Sequence, residues 1–246
     1  MKTRRRLLSI LLVLALVFGI VPLVDLTAFA DTVGGVGIAL ISASITPISA
    51  PIPGNEPIIV HAGFARRAIE DAVETAREAG ADIATVRIRS VGKVPLESLQ
   101  TMAAADMPVR FHADSMDEDG RGRSVDVRIT LDPALSTQDL NLYASTTNAR
   151  AIQTTRVFER FFDNNVRVIS LGQQGSFGQE VTVAARIPVP AGFNLYNFAF
   201  YSYDRERNQY YRFTPGSIQL DTGMYLHFTT MLAGDIIITT SPLVRR

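Results

Sequence analysis

At 246 residues, with 24 basic and 24 acidic side chains, 47% hydrophobic content and neither cysteine nor tryptophan, the chain is long enough for one large or two small packed domains. The absence of cysteine excludes disulfides, thiolate nucleophiles and cysteine-ligated metals. The balanced charge gives no electrostatic footprint for nucleic acid or an anionic lipid surface.

Lys2, Arg4, Arg5 and Arg6 precede an uncharged apolar run over residues 7–21, and Pro22 breaks it. Ala28 and Ala30 then put small residues at the two positions a signal peptidase reads. This is the build of a secretory leader over residues 1–30, with Ala28 and Ala30 marking the cleavage site. The alternative is a retained anchor, since residues 7–24 approach the spanning length; Pro22 and the small-residue exit favour cleavage. Without residues 1–30 the chain has 216 residues, and the loss of Lys2, Arg4, Arg5, Arg6 and Asp25 leaves 20 basic against 23 acidic side chains. An exported chain without cysteine must be stabilised by its core. It suits a Gram-positive-like bacterium, whose outer surface has no dedicated oxidising compartment.

Residues 31–57 are rich in small residues and carry Pro47, Pro51, Pro53 and Pro57, which prevents a continuous helix and denies donors to a sheet, so an extended spacer is expected. In residues 64–79, Ala65, Ile69, Ala72, Val73 and Ala76 recur at helical spacing and Gly80 can close the helix. Ala84, Val86 and Ile88 alternate with Thr85, Arg87 and Arg89, predicting a strand with one buried and one wet face. Pro95 opens a second helix carrying Leu96, Leu99, Met102 and Ala103, and Pro108 ends it. Residues 58–107 are therefore expected to form a small helix-strand-helix unit.

Beyond Pro108 the pattern is β. Residues 109–113 and 125–131 read as a hairpin with Asp119-Gly120 in its loop. One helix interrupts at residues 151–162, residues 166–171 and 181–187 read as a strand pair, and strands follow at 195–203, 209–213, 224–229 and 235–240. The predicted class is α+β, with residues 108–243 a mainly antiparallel β-sandwich holding one inserted helix.

Three features invite chemistry. The acidic stretch 114–120 suggests calcium, but alignment on Gly120 puts Ser115 and Asp126 at the first and last ligand positions, where Asp and Glu are needed, so a solvated hairpin tip is expected instead. Gly172, Gly175 and Gly178 are followed by a strand pattern rather than a helix, which points to a turn or bulge and away from a phosphate loop. The aromatic hairpin 193–213 holds nine of the eighteen aromatic residues beyond the leader. Alternation there separates Phe200 from Tyr201 and Tyr203, and puts Tyr211 with Phe213, so one set is core and the other could be a tyrosine platform for sugars or peptides. Tyr201, Tyr203 and Tyr211 are the candidate ligand-binding residues. His61, His112 and His227 lie far apart with no ligand spacing, and no nucleophile-elbow motif accompanies the serines. No metal, cofactor or catalytic set is expected.

The stretches Ile187-Pro188-Val189-Pro190-Ala191-Gly192, Tyr201-Ser202-Tyr203-Asp204, residues 224–230 and residues 233–238 resemble the terminal β-sandwich modules of uncharacterised secreted and surface proteins of clostridia and related Firmicutes. The likeness spans about residues 58–243. It implies a fold and a location but no mechanism. No Leu-Pro-any-Thr-Gly sorting sequence or hydrophobic tail follows, so retention at the surface would be non-covalent. The expected function is a non-enzymatic exported module working through contacts with cell-wall glycan or another envelope protein. It would not bind nucleic acid, and only an uncleaved leader would touch the membrane. A carbohydrate-binding accessory protein is the alternative, and a small secreted hydrolase stands behind it.

Overall fold

A computed structural model describes residues 38–42, 59–89, 91–116, 125–187, 189, 191–205, 207–222 and 224–246. The expected leader over residues 1–30, with Ala28 and Ala30, lies outside them. Among the described residues no helix is long and apolar enough to cross a membrane. The fold is α+β with mainly antiparallel sheets.

The chain opens with β1 (Ile38–Ser42), which lies within the expected spacer and pairs in parallel with β2 (Ile83–Arg89). Between them runs α1 (Ala62–Glu78), buried along Ala65, Ala68, Ile69, Ala72, Val73 and Ala76. Four of these six are alanine, which lets the helix sit close to the sheet. Gly80, at φ +64°, ends the helix in a left-handed cap. The Gly80 amide donates to the Arg77 carbonyl and the Ala81 amide to the Ala76 carbonyl, which satisfies two terminal acceptors. The two-residue strand β3 (Lys93–Val94) leads into α2 (Leu96–Ala103). Asp139 accepts from the Leu96 amide at 2.8 Å and lies 3.0 Å from Lys93 Nζ, and these two partners hold its carboxyl below the ordinary value.

β4 (Val109–Met116) pairs in parallel with β2 and in antiparallel with β5 (Val125–Leu131), forming the expected hairpin. β6 (Leu140–Asn141) pairs with β3, and β7 (Ala144–Ser145) leads to α3 (Ala149–Phe161), whose first turn is capped by Asn148 Oδ1 accepting from the Ala151 amide at 2.7 Å. β8 (Val166–Leu171) and β9 (Ser176–Arg186) follow, then β10 (Ala199–Asp204), β11 (Gln209–Phe213), β12 (Ile218–Leu220), β13 (Tyr225–Leu232) and β14 (Asp235–Thr239). One sheet runs β1-β2-β4-β5-β9-β13-β12, and a second runs β11-β10-β14-β8-β7.

Four expectations change. Residues 166–171 and 181–187 are not partners: β8 pairs with β14 and β7, while β9 pairs with β5 and β13 in the other sheet. The link between them passes Gly172, where a Cβ would stand 2.4 Å from Asn141 Oδ1, so no larger residue fits without moving Asn141. Residue 107 is no boundary in the packing either, because β2 pairs with β4 across it and one core takes in Ala72, Ile88, Phe111, Val183, Phe228 and Ile238 together. Residues 195–197 form a 3-10 turn rather than the start of a strand. The spacer reading of residues 31–57 gives way at β1, where pairing with β2 outweighs the small-residue composition.

A second apolar cluster joins α3, through Ala151 and Phe158, to Val166, Val168, Tyr201 and Ile237 of the five-stranded sheet. In the larger core Phe111, Phe177, Phe200 and Phe228 are fully enclosed. Each contributes up to about 3 kcal/mol by leaving water, the kind of stabilisation a chain without disulfides depends on.

Candidate functional site

The three candidate tyrosines are not brought to one face. Cross-strand register puts Tyr203 opposite Tyr210 and Ser202 opposite Tyr211, so Tyr211 faces away from Tyr201 and Tyr203. Tyr201 is 5% exposed, lies in the cluster under α3 and accepts from the Leu243 amide at 2.9 Å. Tyr203 meets Phe158 edge to face at 5.2 Å between ring centroids. Tyr210 closes the same group against Phe158, Phe162 and Tyr201. The inserted helix thus occupies the face on which a platform would have to stand. Tyr211 is 52% exposed on the far side of β11.

The outward face of the seven-stranded sheet is different in character. Strand alternation sends Phe111 and Ala113 into the core and His112 and Asp114 outward. Register sets Arg87 beside His112, and Arg128 and Thr130 opposite Asp114 and His112. Four side chains converge as a result. Arg87 Nε donates to Asp114 Oδ2 at 2.6 Å, His112 Nε2 lies 3.1 Å from Oδ1, and Arg128 Nε lies 3.8 Å from the same oxygen. Asp114 is 0% exposed. Burial opposes its ionisation, but His112 and Arg87 outweigh burial and hold the carboxyl below its ordinary value.

The expected wet face of β2 is wet only at Arg89. Thr85 is 1% exposed, and Arg87 lies down on Asp114 instead of reaching into solvent. The same face carries Arg110 on β4, exposed Arg89 on β2, and Arg186 on β9. Arg128 and Arg186 both lie over the ring of Tyr225, their guanidinium carbons 4.2 and 5.3 Å from its centroid. Five arginines share the face with Asp114 and, toward β13, Glu180. His227 lies there too, with Nε2 2.9 Å from Asp221 Oδ2. Thr130 Oγ1 is 3.4 Å from His112 Nδ1, which strings hydroxyl, imidazole and carboxylate together. The carboxylate is already shared among three basic groups, however, and the set works as an electrostatic brace for the arginine side chains.

Arg186 also marks the end of a groove of ≈ 450 Å³. Arg156, Ile152 and Glu159 of α3 form one wall, and Arg167 and Ile169 of β8 with Arg186 and Ile187 at the end of β9 form the other. A buried carboxylate fixes the helical wall. Asp235, 0% exposed at the start of β14, accepts from Thr154 Oγ1 at 2.7 Å and from Arg205 Nε at 2.7 Å, with Arg150 Nε 3.1 Å from its other oxygen. Arg205 Nη2 donates onward to the Arg150 carbonyl at 2.6 Å. Helix α3, the β10–β11 turn and β14 are thereby pinned at one point.

The remaining candidates fall elsewhere. Asp114 and Ser115, expected at a solvated hairpin tip, are instead buried in β4: Asp114 faces the arginines, and Ser115 Oγ donates to the Leu142 carbonyl at 3.3 Å. Residues 117–124 of that loop lie outside the described ones. Gly175, in the link before β9, and Gly178, within β9, take φ +73° and +76°. His61 precedes α1 without capping it. Among the described residues no three His, Asp or Glu side chains are grouped as metal ligands would be.

No protein-family model matches the chain, and no curated protein is significantly similar to it. Reading the sequence overlooked Arg87, Arg128, Arg156, Arg167, Arg186 and Asp235. Alternation already placed Arg87 with Arg89, whereas Asp114 was read into the loop beyond a strand ending at residue 113. The missing signal was which strands are neighbours.

Proposed function

We propose that the chain is an exported, non-enzymatic module that acts in the cell envelope or extracellular space through protein or glycan contacts, and that its contact surface is the arginine-bearing face of the large sheet. The observation that carries this reading is the cluster at Asp114. A wholly buried carboxylate holds Arg87 and Arg128 flat and leaves Arg89, Arg110 and Arg186 as a positive rim around a rigid sheet. Arginine forks pair with carboxylate or phosphate groups, and a rim already ordered loses little entropy on binding. The leader at residues 1–30 supports export, and the likeness to clostridial surface modules supports the location.

We further propose that the two sheets face each other as a β-sandwich; the Phe200 and Phe228 rings, one from each sheet, stand 5.1 Å apart between centroids. A carbohydrate-binding role is the second reading. It is favoured by Tyr210 and Tyr211, 44% and 52% exposed on β11.

Retention of the secreted chain on isolated envelope material tests both. The Arg89→Ser/Arg110→Ser variant should lose at least about tenfold in affinity, the equivalent of 1.4 kcal/mol, with an unchanged melting temperature. Tyr211→Ala should bind as the parent does. Retention that survives the arginine changes and disappears with Tyr211→Ala would reverse the order of the two readings.

A further inference from the structure

From the geometry of the groove between α3 and the ends of β8 and β9 we infer a second contact site, one that takes an extended acidic peptide segment with an aliphatic side chain, presented by a partner protein. The inference deepens the contact-module reading and rests on it; the two sites share Arg186 alone. Arg156, Arg167 and Arg186 come from three separate elements and line one groove, with Arg186 also lying over the ring of Tyr225. Among the described residues, none of the three has a carboxylate partner. Three guanidinium groups around one concavity repel one another unless an anion comes between them, and the planar fork of arginine suits a carboxylate.

The walls decide what kind of anion fits. Ile152 is 43% exposed on the helical wall and is the apolar side chain the groove offers to a ligand, while Ile169 and Ile187, which also line it, are buried in the core. An aliphatic side chain entering here would remove apolar surface from water on both partners, whereas a bare polyanion would gain nothing from it. Among the described residues no aromatic ring lines the groove, so they give a base or sugar ring no stacking surface. Glu159 adds one negative charge to the helical wall, a position that penalises a uniformly anionic polymer and tolerates a peptide in which acidic and aliphatic residues alternate. The volume, ≈ 450 Å³, falls within the range of about 300–1,000 Å³ typical of ligand sites. The helical wall is also preorganised, because the Asn148 cap and Asp235 fix the first turns of α3.

The test is fluorescence anisotropy of the full chain with a labelled hexapeptide of alternating aspartate and isoleucine, run beside a hexaglutamate of equal length. Saturable binding is expected that weakens at least about tenfold in Arg156→Ala/Arg167→Ala, equivalent to 1.4 kcal/mol, while the melting temperature holds. Replacing isoleucine by serine in the probe should weaken it comparably. Binding that is indifferent to the two substitutions, hexaglutamate binding as tight as the mixed peptide, or no binding at all would overturn the inference. Arg89 and Arg110 lie outside the groove. Peptide binding that fails while Arg89→Ser/Arg110→Ser still abolishes envelope retention would therefore sink this site alone; the reverse pattern would sink the sheet-face reading and leave the groove standing.

Discussion

Replacing Asp114 with alanine should destabilise the protein by about 3–5 kcal/mol, because it leaves Arg87 and Arg128 close together with their shared counter-charge removed. Equilibrium urea unfolding would measure the loss. Asp114→Asn should cost nearly as much, since the shape survives but the charge does not. A pH series adds an independent reading with a defined sign. The Asp114 carboxyl is held below its ordinary value in the folded protein. Its contribution is therefore complete above the unfolded value of about 3.9 and disappears as pH falls through the lower, folded value. The difference in stability between the parent and Asp114→Asn should stay constant from neutral pH down to about 4 and then narrow. A loss below about 1 kcal/mol in the alanine variant would mean that Arg87 and Arg128 simply swing out to water, as exposed ion pairs allow.

The second large effect is expected at Asp235. Its removal strips a wholly buried carboxylate from Arg150, Arg205 and Thr154, so Asp235→Ala should cost about 3 kcal/mol or more. The damage should be concentrated where the three partners sit. Helix α3 loses its tie to β14, and with it the fixed position of Phe158 against Tyr203 and Tyr210. With no tryptophan in the chain, the near-ultraviolet circular dichroism is dominated by tyrosine and reports directly on this packing. It should weaken in Asp235→Ala before far-ultraviolet signal is lost. Arg205→Lys should be milder, roughly 1–2 kcal/mol, because lysine keeps a charge but cannot span Asp235 and the Arg150 carbonyl at once. Equal losses in both variants would indicate that charge alone, and not the fork, holds the junction.

What a linear reading can recover follows from how far each feature reaches along the chain. Helix α1 was legible because its apolar spacing and Gly80 are local, and the β4–β5 hairpin because its partners adjoin. The Asp114 cluster was not. Arg87 and Asp114 stand 27 residues apart and meet only because β2 and β4 pair in parallel, a choice that alternation does not encode. The same limit hid Asp235, whose partner Thr154 is 81 residues away. Strand alternation put Tyr211 with Phe213 but left open which face of β10 that set shares, so Tyr211 was grouped with Tyr201 and Tyr203, and it said nothing of α3 lying over the latter pair. Overall charge misled in a different way. A chain near neutrality suggests no electropositive surface, while the fold gathers Arg87, Arg89, Arg110, Arg128 and Arg186 on one sheet face and leaves Glu70, Glu74 and Glu78 on α1.

Arginine-selective labelling with phenylglyoxal, performed on the full chain with and without isolated envelope material and mapped by mass spectrometry, measures contact at the residues that matter. Arg89, Arg110 and Arg186 are expected to be modified readily in the free protein and shielded when the material is present, with Arg212 on β11 labelled equally in both. Equal labelling of the three sheet arginines in the two conditions, alongside shielding confined to Arg212, would contradict a contact surface built around Asp114.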